Sequence, residues 1–250
     1  MADEQMSVNT SNEPHRESRA SIEQSSETDI TVSSRRAALR ARWAEMVFIT
    51  ALAAYAVMAV LAHRYAYFEW DLTIARGIQS ITVPGFYELM VGVSWLGNGA
   101  VPFILVVGAG LALVLARFKI EGVVCLIGVG VGDALNHLLK FLSARPRPDG
   151  ALVQVLTHAR FESFPSGHVT FFVEYFGFLF FLAYVLLRPC YLRRAALLIL
   201  GLLIALVGVS RVRLGAHWPS DVVGAYLAGG AWLLLMIEIY RRWKARQNER

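Results

Sequence analysis

Three short segments of the chain concentrate the side chains that could carry out chemistry: residues 140–148, 165–168 and 210–221. Lys140, Arg147 and Arg211 place three permanent positive charges at the ends of apolar stretches. Their mutual repulsion is costly there unless a polyanion lies among them. The planar fork of arginine binds two phosphate oxygens at once, and lysine adds a point charge. The segments therefore predict a phosphate-binding site.

Two histidines accompany these cations. His217 and Asp221 are four residues apart at the start of a predicted helix, so the carboxylate can hold one imidazole nitrogen and leave the other free to attack. Ser166 and Gly167 come directly before His168 at the start of another predicted helix. The unpaired N–H groups and positive dipole end of a helix start favour an anion. We expect both helix starts to face the phosphate.

A metal site is the alternative explanation for a His–Asp pair. Three neighbouring cations would repel a metal ion, and the ligand spacing is not that of a zinc motif. We therefore expect a site that uses no metal and no other cofactor.

The elements that position these residues are predicted to be membrane helices. The chain has 250 residues, of which 56% are hydrophobic and 17% charged, and its mean hydropathy is +0.49. An apolar run of about 20 residues is long enough for a helix to cross the hydrocarbon core. We predict an all-α polytopic membrane protein with six transmembrane helices at 44–62, 97–116, 120–139, 169–187, 195–210 and 222–237.

Two details of this arrangement follow from the pattern. The last two predicted spans are short, so the segment that joins them is expected to dip into the membrane boundary. Residues 68–95 alternate apolar and polar side chains, which is typical of a helix lying in the membrane interface. A short broken helix at 86–95 is the other possibility.

The charges divide the chain into two parts. Residues 1–40 are polar and nearly free of large apolar side chains, which predicts a disordered cytoplasmic tail. Residues 41–250 form the predicted six-span membrane domain. Its basic residues cluster before the first span, between the second and third, between the fourth and fifth, and after the sixth. The positive-inside rule makes that side cytoplasmic.

This orientation places both termini in the cytoplasm and the three chemical segments at the outer boundary of the cytoplasmic membrane. Topology also explains the net charge of +5 without a nucleic-acid partner. Arg145 and Arg213 are basic residues on the outer side, and we expect them to face lipid headgroups or solvent.

The three segments resemble the pattern KX6RP, PSGH and SRX5HX3D of the type-2 phosphatidic acid phosphatase superfamily, which includes the vanadium haloperoxidases. Every specified position matches. The resemblance implies that Lys140, Arg147 and Arg211 hold the phosphoryl oxygens, with hydrogen bonds from Ser166 and Gly167. It further implies that His217 is the nucleophile, that Asp221 orients it, and that His168 protonates the leaving oxygen.

The resemblance implies a membrane phosphatase that acts on a lipid phosphate or diphosphate through a phosphohistidine. Candidate substrates are phosphatidic acid, phosphatidylglycerol phosphate and undecaprenyl diphosphate. A lipid phosphotransferase and a non-enzymatic lipid-phosphate carrier are the alternatives. The sequence leaves open the roles of Glu174 and Asp133, the headgroup and the oligomeric state.

Overall fold

The computed structural model describes residues 39, 42–43, 45–157 and 161–249. The chain divides into two units, residues 1–47 and 48–250. The second unit contains the three chemical segments. The predicted disordered tail, residues 1–40, lies outside the described residues except for Leu39, so its disorder stays a prediction.

The described residues form helices and no strand, which confirms the all-α prediction. Eight helices follow along the described chain: α1 Glu45–Arg64, α2 Glu69–Gln79, α3 Phe86–Trp95, α4 Val101–Leu115, α5 Lys119–Ser143, α6 Gly167–Leu186, α7 Tyr191–Arg213 and α8 Pro219–Asn248. Five of these, α1 and α5 to α8, are long and apolar enough to cross a membrane. The chain is therefore a multi-pass membrane protein.

The bounds of several helices differ from the prediction. Helix α4 has only 15 residues, and at 1.5 Å per residue it is about 22 Å long. Helices α7 and α8 have 23 and 30 residues, so the expectation of two short final spans was wrong. The apolar runs end before the helices do, because arginine and lysine are good helix formers and continue both helices past the hydropathy boundary.

Residues 68–95 form two separate helices, α2 and α3, and the interfacial location predicted for this segment stays a prediction. Helix α2 buries Asp71 and Ala75, whereas Trp70 and Ile74 on its other side are 40% and 43% exposed. Asp71 Oδ2 accepts the N–H of Phe68 at 3.0 Å, which satisfies one of the free donors at the start of α2. The inward side of this amphipathic helix thus carries one buried carboxylate, Asp71, among apolar side chains.

The core lies among α5, α6 and α8 and is rich in aromatic side chains from α6. Phe172 and Phe178 are fully buried, and the rings of Phe171 and Phe172 meet edge to face with their centroids 5.8 Å apart. Residues Phe172–Phe176 form a π-helical turn inside α6. In contrast, only 6% of the apolar window of α1 is buried, so α1 exposes most of its apolar surface.

Candidate active site

Lys140 lies in the last turn of α5, and its side chain is buried. Its Nζ donates to the carbonyl oxygens of Glu162 at 2.9 Å and Ser163 at 3.4 Å. Ala144, directly after α5, adopts a left-handed φ of 49° and turns the chain out of the helix. This turn lets the two following arginines, Arg145 and Arg147, lie at the same end of the molecule as Lys140.

Arg147 links the first motif to the third. Its guanidinium donates to the carbonyls of Phe161 at 2.6 Å and Ala216 at 2.7 Å, and its Nη1 lies 3.1 Å from Nε2 of His217. Arginine can only donate, so Nε2 must be the acceptor. The proton of a neutral His217 ring is therefore on Nδ1, and its lone pair is on Nε2.

Asp221 lies on the other side of the His217 ring. Asp221 Oδ2 is 3.5 Å from His217 Nδ1 and accepts the N–H of Trp218 at 2.9 Å. Ser163 Oγ also donates to Oδ2. Asp221 thus caps the start of α8 from its third position and lies against the ring of the histidine just before that helix.

The surroundings of His217 favour its neutral form. Burial lowers the pKa of His217 well below its usual range, and the positive charges of Lys140, Arg147 and Arg211 lower this pKa further. Because Nε2 is then unprotonated at neutral pH, its lone pair is available as a nucleophile.

A tight turn between α7 and α8 brings Arg211 and His217 to one end. Gly215 has a φ of +67°, and a Cβ at this position would overlap the carbonyl group of Gln154. Arg211 Nη1 donates to Ser94 Oγ from α3. Ser166 donates its backbone N–H to the carbonyl of Asp221 at 3.3 Å, which joins the second motif to the third.

Two of the predicted phosphate-binding residues have a buried polar side-chain atom without a partner among the described residues: Arg211 at Nε and Ser166 at Oγ. Gly167, beside Ser166, starts α6 and faces Lys140, since a Cβ on Gly167 would lie 3.6 Å from Lys140 Cε. A buried donor without a partner is costly, and an anion bound between these residues would satisfy both groups.

His168 is held by the α3–α4 connection. Its Nε2 lies 2.8 Å from Asn98 Oδ1. The ring packs so closely on Gly97 that a Cβ there would overlap it. The structure therefore places Arg147 and Asp221 against the His217 ring, with Lys140 and Arg211 near enough for their charges to act on it. Ser166 bonds to Asp221 and Gly167 faces Lys140, whereas the ring nitrogen of His168 contacts Asn98, a residue that the motifs do not contain.

The expectation for Arg145 was wrong. This side chain is fully buried and pairs with Asp221 through Nη1 and with Asp71 through Nη2, the latter at 3.1 Å. Arg213 is half-buried, and its guanidinium lies 5.6 Å from the ring centroid of Tyr87. The two acidic partners of Arg145 are 74 and 76 positions away in the sequence. Local sequence patterns therefore do not reveal them, and Arg145 was predicted to be an exposed basic residue.

The two acidic residues whose roles the sequence left open differ in burial. Glu174 is buried in the π-helical turn of α6 and packs against Gly132 of α5. Asp133 is exposed, and its carboxylate is 3.7 Å from His137. Within the part of the chain that the structure describes, no group of three histidine, cysteine or acidic side chains is placed to hold a metal ion.

Comparison with known proteins decides the family. The profile of the PAP2 superfamily matches residues 121–245, which contain all three motifs. Phosphatidylglycerophosphatase B of Bacillus subtilis (strain 168) is 32% identical over 178 residues, covering 70% of this chain and 85% of the relative. This chain belongs to the PAP2 superfamily.

Two further similarities agree with this membership, so the predicted family is confirmed. A lipid A 1-phosphatase of Rhizobium etli is 37% identical over 115 residues, covering 43% of this chain and 45% of the relative. The crystal structure of a transmembrane PAP2 type phosphatidylglycerolphosphate phosphatase from Bacillus subtilis aligns with a TM-score of 0.68 and 28% identity. This alignment covers 78% of this chain and 96% of the solved chain.

Proposed function

We propose that this PAP2 protein is an integral membrane phosphatase that removes phosphate from a lipid phosphate or diphosphate. The observation that carries the proposal is the arrangement around His217. Nε2 has its lone pair toward Arg147, Nδ1 faces Asp221, and Lys140 and Arg211 complete a cationic wall. A binding protein would need the cations but not the oriented histidine, which disfavours a carrier.

The first chemical step uses both histidines. The lone pair of His217 Nε2 forms a bond to phosphorus while the bond from phosphorus to the lipid oxygen breaks. The electron pair of the broken bond goes to the leaving oxygen, which takes a proton from His168. Lys140, Arg147 and Arg211, with Ser166 and Gly167, stabilise the charge on the three equatorial oxygens.

The second step returns the enzyme to its starting state. His168 takes a proton from water, whose oxygen attacks the phosphorus of phosphohistidine. The nitrogen–phosphorus bond breaks, its electron pair returns to Nε2, and phosphate leaves. In both steps the proton passes through His168, and Lys140, Arg147 and Arg211 offset the negative charge of the phosphoryl oxygens. The proposal therefore uses neither a metal nor another cofactor.

We further propose six crossings, with both termini cytoplasmic and the site on the extracytoplasmic face of the cytoplasmic membrane. The contacts of α4 support counting it as a crossing in addition to the five longer helices. Asn98, before α4, bonds to His168 at the site end, and Val114 near the end of α4 packs against Gly122 at the start of α5. Among the described residues, the basic clusters that follow α4 and α6 and that end α8 lie at that second end.

A reporter fusion tests this topology. Alkaline phosphatase fused after Arg250 is active only outside the cytoplasm, so we expect it to be inactive, while a cytoplasmic reporter fused there is active. The opposite pair of results would reverse the orientation.

A substrate panel tests the activity. Purified protein in detergent is given phosphatidic acid, phosphatidylglycerol phosphate, undecaprenyl diphosphate and the soluble ester glycerol 3-phosphate, and phosphate release is measured. We expect turnover of at least one lipid and much slower turnover of glycerol 3-phosphate. Binding of the lipids without phosphate release would overturn the proposed activity and favour a carrier.

A further inference from the structure

Behind His217 lies a second layer of charge that the motifs do not contain. Arg145, two residues before Arg147 of the first motif, bridges two carboxylates whose side chains are all fully buried. Asp221 on one side of Arg145 contacts His217, and Asp71 on the other side comes from α2. Asp71, Arg145 and Asp221 thus form a row that leads from helix α2 to His217.

Hydrogen bonds hold each of the three side chains of this row in place. Arg145 Nε donates to the carbonyl of Ala66 at 3.1 Å, and Nη1 also donates to Ser220 Oγ at 2.7 Å. Asp71 accepts the N–H and the hydroxyl of Ser220 at 2.8 and 2.7 Å. Both carboxylates therefore hold the first turn of α8, and neither can rotate without breaking several hydrogen bonds.

The charge of the row is suited to the chemistry. Two carboxylates and one guanidinium carry a net charge of −1 next to a neutral His217 ring. When Nε2 bonds to phosphorus and Nδ1 keeps its proton, the ring becomes a cation, and the whole group becomes neutral. In a dry site such a preorganised negative charge stabilises the transition state toward phosphohistidine more than it stabilises the free enzyme.

We propose that Arg145 and Asp71 are positioning residues for phosphoryl transfer: Arg145 fixes the carboxylate of Asp221 against His217, and Asp71 fixes Arg145. The proposal rests on the proposed phosphatase function. Neither residue touches the substrate, so the effect of changing either is on the rate of attack by His217 and not on phosphate binding.

The test replaces Asp71 by its isostere in the full-length protein, as Asp71→Asn. We expect kcat to fall by about 10- to 100-fold, the loss seen when the partner that orients a functional histidine is changed, while KM stays within about twofold of the wild-type value. The loss should be equal for a lipid phosphate and for p-nitrophenyl phosphate, because attack and not leaving-group protonation is slowed.

Glu121→Gln is the matched control. Glu121 is also a fully buried carboxylate, paired with Lys244 at 2.8 Å and Tyr240 at 3.1 Å, but it lies at the other end of the molecule. If Glu121→Gln lowers kcat as much as Asp71→Asn does, general loss of stability explains the effect and the proposal fails. A rise in KM at unchanged kcat in Asp71→Asn would also overturn it.

A second variant tests whether Asp71 acts through Arg145. Arg145→Lys keeps the charge but not the planar fork that spans both carboxylates, and we expect a similar loss in kcat. In the Arg145→Lys protein, adding Asp71→Asn should then cost less than it does alone. Losses that simply multiply would show that Asp71 does not act through Arg145.

A spectroscopic readout separates this inference from the phosphatase proposal. The Nδ1–H proton signal of ¹⁵N-histidine-labelled protein, assigned by its loss in His217→Ala, should shift in Asp71→Asn and not in Glu121→Gln. If the wild-type protein released no phosphate from any lipid, the proposed function would fail, and this signal would still decide the positioning role. An unchanged signal in Asp71→Asn would refute it.

Discussion

Replacing Gly97 by alanine should disable His168 without touching the rest of the site. A Cβ on Gly97 would lie 2.9 Å from Cγ and 3.0 Å from Nε2 of the His168 ring, and still closer to Cδ2. Ordinary contacts between non-bonded carbon atoms are about 3.5–4.0 Å. The ring must therefore move by roughly one ångström. Gly97 does not need a positive φ, so the backbone itself accepts alanine.

The size of the effect follows from this displacement. A misplacement of about 1 Å in a catalytic group can lower the rate by about 100-fold. In the proposed mechanism His168 supplies the proton to the leaving oxygen, so kcat for a lipid phosphate should fall by that factor. p-Nitrophenolate leaves readily without a proton, so turnover of p-nitrophenyl phosphate in Gly97→Ala should fall much less in its first step.

The assay compares the release of lipid alcohol and of p-nitrophenol in the first turnover, with Gly92→Ala as the matched control. Gly92 lies in α3, five residues earlier, and a Cβ there meets no atom within 4 Å. We expect Gly92→Ala to behave like the wild-type protein with both substrates. Equal losses for both substrates in Gly97→Ala, or lipid turnover as fast as in Gly92→Ala, would refute the acid role of His168.

Three further predictions concern the cations and the histidines. With p-nitrophenyl phosphate, His168→Ala should accumulate an acid-labile phosphoenzyme and His217→Ala should form none; a labelled adduct in His217→Ala would mean that the nucleophile is assigned wrongly. In the proposed mechanism Lys140, Arg147 and Arg211 supply the positive charge, so EDTA should leave phosphate release unchanged, and vanadate should inhibit it as a five-coordinate mimic. Activity lost to EDTA and restored by one divalent ion would contradict this mechanism. Since burial and the cations lower the pKa of His217, its ring should stay neutral as the pH falls from 8 through its usual value of about 6.5; a ¹⁵N signal of His217 that titrates near pH 6.5 would contradict this.

The parts of the site that sequence predicts are those encoded by local spacing. His217 and Asp221 are four residues apart at a helix start, so one turn of α8 is enough to bring the carboxylate to the ring. Five of the six apolar runs likewise located helices long enough to cross a membrane, because a hydrocarbon environment demands about 20 apolar residues in a row. Helix ends were less predictable, since α7 and α8 continue through arginines that hydropathy excludes.

The parts that sequence does not predict depend on contacts between distant segments. Asp71 and Arg145 are 74 positions apart, and Asn98 and His168 are 70 apart; no periodicity relates the members of either pair. One signal did exist for Arg145, because a basic residue on the outer side violates the positive-inside rule. That signal indicates a need for a partner, but it cannot distinguish a phosphate from a carboxylate on another helix.

The same distinction divides the four buried or half-buried cations of the site, Lys140, Arg145, Arg147 and Arg211. Arg145 pairs with two carboxylates, so its positive charge is neutralised inside the protein. Lys140 and Arg147 are satisfied by backbone carbonyls, which are neutral, so their charges remain uncompensated. Arg211 keeps a buried Nε without a partner among the described residues, next to a motif whose Ser166 hydroxyl is in the same state. An anion that enters this site therefore meets three charges and two open donors, whereas Arg145 stays paired with Asp71 and Asp221.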